Sequence, residues 1–105
     1  MNEIDFRMWL FENKNKNTIR TYISRCLRVE EALNISLDDE YKFDGGERVI
    51  QMLSYSREDE RNHVIPTCGI VFSENADIYG GMHSLRASVK QYFEFIAKFE
   101  QQEKE

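Results

Sequence analysis

The chain has two cysteines, Cys26 and Cys68, too few for a disulfide scaffold. No apolar run approaches the roughly 20 residues that span a bilayer, and the first residues lack the basic-then-apolar order of a signal peptide. There is no Gly-rich phosphate loop, no Cys-x-x-Cys pair, no nucleophile elbow, no internal repeat and no low-complexity segment. His63, Cys68 and His83 follow no familiar zinc spacing, and Ser24, Ser84 and Ser88 belong to no pattern that pairs a serine nucleophile with an activating histidine. These absences lead us to expect a cytoplasmic protein without a membrane partner. No catalytic residue, metal ligand or cofactor is assigned.

Basic charge is also scarce. The net charge is −5, which argues against a general binder of polyanions. Its distribution is uneven. Residues 36–79 carry four Lys/Arg against ten Asp/Glu, whereas residues 7–28 carry six basic side chains and one acidic one, Glu12. A local basic face on an acidic body binds nucleic acid weakly and with strong salt dependence.

At 105 residues, with seven Phe, five Tyr and one Trp, the chain is expected to form one folded domain over 1–105, its polar tail beginning near residue 100. The clearest pattern starts after Asn13-Lys14-Asn15-Lys16-Asn17, a turn by composition. Ile19, Tyr22, Ile23, Cys26, Val29 and Leu33 recur in three- and four-residue steps. This spacing predicts an amphipathic helix over Thr18–Leu33, capped by Asn17. A short helix carrying Ile4, Phe6, Trp9 and Leu10 precedes it, with Asn2 as cap. Asn34 ends the long helix, and Ser36 with Asp39 opens another.

Glu47 to Ser56 resumes helical spacing after Asp44-Gly45-Gly46, and Arg57–Asn62 reads as a charged extension or loop. The stretch 62–75 leaves room for a short strand, and Gly80-Gly81 reads as the end of a turn, with His83 just ahead of the last helix. Leu85, Val89, Tyr92, Phe93, Ile96 and Phe99 mark one face of that helix. The fold class is therefore all-α, a small bundle of four to five helices.

Lys14, Lys16, Arg20, Arg25 and Arg28 supply cations around the start of the second helix. Asn15, Asn17, Thr18 and Thr21 add hydrogen-bonding groups suited to a phosphate backbone. The same residues also suit an ordinary solvated helix face.

Two segments resemble a known family. Phe6-Arg7-Met8-Trp9-Leu10, followed by Asn17-Thr18-Ile19-Arg20-Thr21-Tyr22-Ile23-Ser24-Arg25, is similar to the opening of the SAM-like core-binding domain of tyrosine recombinases and phage integrases. Leu85-Arg86-Ala87-Ser88-Val89-Lys90-Gln91-Tyr92-Phe93-Glu94-Phe95-Ile96 is similar to that domain's closing helix. The resemblance covers both ends of the chain and implies a helical domain that clamps duplex DNA. It points to Lys16, Asn17, Thr18, Thr21, Arg25 and Arg28, then to Ser84, Arg86 and Lys90, on one side. Family catalysis resides in a separate C-terminal domain with an Arg, a His-x-x-Arg pair and a Tyr nucleophile, so the implied role is DNA contact without recombinase activity.

The acidic middle carries the rival expectation. It would make the chain an adaptor or inhibitor of a mobile-element or host protein, engaging a protein partner through Asp38, Asp39 and Glu40 on the 36–60 face.

Overall fold

The computed structural model of the chain describes residues 1–13, 16–66, 70, 72 and 77–103. Six helices run through them: α1 (Glu3–Asn13), α2 (Lys16–Leu33), α3 (Leu37–Asp44), α4 (Glu47–Met52), α5 (Arg57–Arg61) and α6 (Ile78–Glu103). The fold is all-α, as expected from the sequence. It has one helix more than anticipated because Arg57–Arg61 forms a turn of its own. No strand occurs among the described residues, including 62–66, 70 and 72; the rest of 62–75 lies outside them.

Local chemistry accounts for most boundaries. Asn2 Oδ1 accepts the Asp5 N–H (3.4 Å) and its Nδ2 donates to Asp5 Oδ2 (2.8 Å), closing the first turn of α1. α2 begins at Lys16, so Asn17 is its second residue rather than its cap. The helix ends at Asn34, which takes the left-handed conformation (φ +54°) that asparagine tolerates. Ser36 Oγ accepts the Asp39 N–H at the start of α3. α4 stops at Met52, short of Ser56, because Ser56 is already the cap of α5: its hydroxyl accepts the Asp59 N–H (3.0 Å) and Asp59 returns the bond to the Ser56 N–H (2.9 Å).

The largest departure is at α6. Gly80 and Gly81 do not end a turn; they lie in the first turn of the helix, and His83 lies within it. Asp77 is the cause, since its side chain accepts the Gly80 N–H (3.0 Å) and its carbonyl the Gly81 N–H (2.8 Å). Glycine at 81 is a packing requirement, because a Cβ there would sit 3.0 Å from Phe72 Cζ.

The core lies where α1 and α2 meet α6. Phe6 and Leu10 of α1, Ile23, Cys26 and Val29 of α2, and Leu85, Val89 and Tyr92 of α6 are buried. α2 and α6 approach closely enough for Cys26 Sγ to donate to the Ser88 carbonyl (3.4 Å). Aromatic rings close the end of the core: Phe6 meets Tyr92 edge-on at 4.9 Å, and Phe95 at 5.4 Å. α1 is apolar on both sides. Ile4, Met8 and Phe11 point away from Phe6 and Leu10 and stay 75, 61 and 57% exposed.

A polar knot ties the N-terminus into this assembly. The Met1 ammonium lies 3.3 Å from Glu30 and 3.5 Å from Asp38. Burial alone would lower its pKa, but these carboxylates outweigh that and raise it. The Tyr92 hydroxyl accepts the Asn2 N–H (2.6 Å) and donates to Asp38, while Glu30 accepts the Leu37 N–H (2.9 Å).

Candidate nucleic-acid interface

Thr18, Thr21, Arg25 and Arg28 follow one another in three- and four-residue steps, so α2 presents them on one side, next to its buried stripe. Thr18, Thr21 and Arg28 are exposed and Arg25 is half-buried. Lys16 and Asn17 open the helix, and Lys14 and Asn15 lie outside the described residues. The ion pairs between side chains of the described residues join Arg7 to Glu3, Arg48 to Glu40, Arg57 to Glu60 and Lys98 to Glu94. Among those residues Arg20 and Arg25 therefore have no carboxylate partner. Arg28 is positioned by a ring, with its guanidinium carbon 4.9 Å from the Phe72 centroid.

Structure adds a groove that spacing alone did not reveal. α1 and α2 are joined by a two-residue connection and pack side by side. Between them lies a cavity of about 530 Å³ lined by Arg7, Arg20, Ser24, Leu27 and Arg28, with Glu3 and Glu31. Three arginines thus line one groove, although the Arg28 guanidinium itself lies over Phe72, and Glu3 is already engaged by Arg7 (3.5 Å). Arg7 was missed because it belongs to the short first helix. The signal available was in the sequence, where only a short polar stretch separates the two helical patterns.

The three α6 candidates do not come together. At about 100° per residue, Ser84 and Arg86 lie roughly 200° apart around the helix. Ser84 shares the side of Gly81 and Ser88, which faces Phe72 and α2; Ser88 Oγ donates to the Ser84 carbonyl (3.0 Å). Arg86 and Lys90 share the other side. Lys90 is exposed and Arg86 half-buried, its Nε shielded from solvent without a partner among the described residues.

The acidic trio is also divided. Glu40 is buried and holds Arg48 through two bonds (2.6 and 3.2 Å), and Asp38 faces Met1 and Tyr92. Of the three only Asp39 is exposed. No group of three His, Cys, Asp or Glu side chains suited to a metal occurs among the described residues, and Cys68 lies outside them. No helix among the described residues is long and apolar enough to cross a membrane. Comparisons with family models, with curated proteins and with solved structures find no match to this chain.

Proposed function

We propose that this chain is a non-catalytic DNA-binding module whose contact face is the Thr18–Thr21–Arg25–Arg28 side of α2. The observation that carries the reading is Arg25, a cation on that face without a carboxylate partner among the described residues of an acidic protein, with Arg20 likewise unpaired on the adjoining groove side of α2. Exposed guanidinium and hydroxyl groups on one helical face suit phosphate oxygens, which fix a protein on a duplex without reading its sequence. The resemblance of both chain ends to integrase core-binding domains supports the same role. The α1–α2 groove would add Arg7 and Arg20 to the contact.

Anisotropy with a mixed-sequence duplex across a salt series tests this. Wild type is expected to weaken steeply with salt. Arg25→Glu/Arg28→Glu should lose more than tenfold in affinity and flatten the slope by about two, near 0.9 for each phosphate contact removed. Its circular dichroism should match wild type, since neither residue belongs to the buried core. Absence of wild-type binding even at low salt would refute the proposal.

A further inference from the structure

We infer that the outward side of α6 is a second contact surface for duplex DNA, so that one copy of the chain can join two duplexes. This rests on the DNA-binding reading above and goes beyond it. Tyr79, His83, Arg86 and Lys90 recur in steps of four, three and four and form one stripe on α6. The opposite side of the helix carries Gly81 and Ser88, against Phe72 and Cys26. The stripe therefore looks away from α2, and α6 itself stands between the two basic faces. A single straight duplex cannot lie along both.

The stripe is ordered before any ligand arrives. Arg57 holds its guanidinium carbon 4.0 Å from the Tyr79 ring centroid, and the Tyr79 and His83 rings stack at 5.9 Å with 21° between their planes. Glu60 fixes this corner by accepting the Tyr79 N–H (3.1 Å) and lying 3.7 Å from Arg57. Its charge is thereby engaged. At the far end, Glu94 is taken up by Lys98 (3.0 Å) and Gln91 (3.3 Å). Arg86 and Lys90 are left with no ion pair among the described residues. From Tyr79 to Lys90 the helix rises about 16 Å, close to five base steps of roughly 3.4 Å. Cations spread over that length, steadied by rings, match the spacing of a phosphate backbone better than a compact anion.

Two duplexes, one carrying a donor dye and one an acceptor, provide the test, with anisotropy on each alone. Wild type should bring the dyes together. His83→Glu/Lys90→Glu and Arg25→Glu/Arg28→Glu should each abolish energy transfer yet still bind one duplex, the first with nearly wild-type affinity through α2 and the second more than tenfold more weakly through α6 alone. The combined variant should bind neither. Arg57→Ala, which leaves α6 untouched, should reduce transfer in the same direction. If His83→Glu/Lys90→Glu binds and joins duplexes like wild type, or if Arg25→Glu/Arg28→Glu binds none, the second surface is refuted while the α2 reading stands. Failure of wild type to bind any duplex refutes that reading and this inference together.

Discussion

Replacing Gly46 with alanine is expected to remove about 3 kcal/mol of stability, whereas the same change at Gly45 removes about 1. Both glycines form the turn between α3 and α4 and both have positive φ, +73° at Gly45 and +84° at Gly46. That conformation costs an L-residue roughly 1–2 kcal/mol at either site. The difference lies in what surrounds them. A Cβ at Gly45 meets nothing within 4 Å, but at Gly46 it would fall 2.6 Å from Phe93 Cδ2. Phe93 is itself buried, with Tyr41 5.9 Å away on one side, so its ring has little room to retreat. Overpacking of this kind adds about 1–3 kcal/mol. Parallel urea titrations should show the Gly46→Ala midpoint well below that of Gly45→Ala. Equal midpoints would mean that the ring swings aside freely.

The same turn shows what a sequence can and cannot disclose. Asp44-Gly45-Gly46 is visible as a break, but nothing local says that the second glycine must admit a ring from α6, about fifty residues away. Gly80-Gly81 is the reverse case. By composition it is a turn, yet Asp77 caps a helix through it and Phe72 needs the space at Gly81. The requirement is tertiary, and tertiary packing overrides the low helix propensity of glycine. Where the pattern is local, reading succeeds: the α2 stripe, the Asn34 stop, the Asn2 and Ser36 caps and the α6 face from Leu85 to Phe99 all follow from side-chain spacing. The reciprocal cap of α5 was available in Ser56-x-x-Asp59 but was masked by the charge run that follows it.

The candidate interface divides along the same line. Thr18, Thr21, Arg25 and Arg28 share a side because helical spacing requires it. The separation of Ser84 from Arg86 also follows from helical arithmetic, since residues two apart cannot face one ligand. That Ser84 turns toward α2 and Arg86 away from it depends on which side of α6 packs, and Gly81 and Ser88 decide that. Acidic charge was legible as a run at 38–40, but its consumption was not. Arg48 lies eight residues beyond Glu40, and Tyr92 lies 54 beyond Asp38.

The fold should lose stability above about pH 8, first through the Met1 ammonium, whose raised pKa leaves its contribution complete only below 8.0, and from about pH 9 through Cys26 as well. Its thiol is fully buried, and burial, followed by the nearby Glu30 charge, pushes its pKa up to about 12 from a starting value of 9.0. Tyr92 is raised as well, by burial first and then by its bond to Asp38; donation from the Asn2 N–H opposes this without cancelling it. Both groups hold their proton more tightly in the folded state. Their contribution is therefore complete below the unfolded pKa and lost as pH rises toward the folded one. For Cys26 a span of about three pH units corresponds to about 4 kcal/mol, a large share of the 5–15 kcal/mol typical of a domain. Urea titrations should give constant stability from pH 6 to 8, a shallow decline above pH 8 as the Met1 ammonium is lost, and a steeper one from about pH 9 that continues toward pH 12. Cys26→Ala should start slightly less stable, because it leaves a small void against α6, but should lose the steepening that begins near pH 9. Tyr92→Phe should cost about 1–3 kcal/mol already at neutral pH, since the Asn2 N–H loses its acceptor, and should flatten the later part. An unchanged slope between pH 9 and 11 in Cys26→Ala would show that the thiol is not what the fold protects.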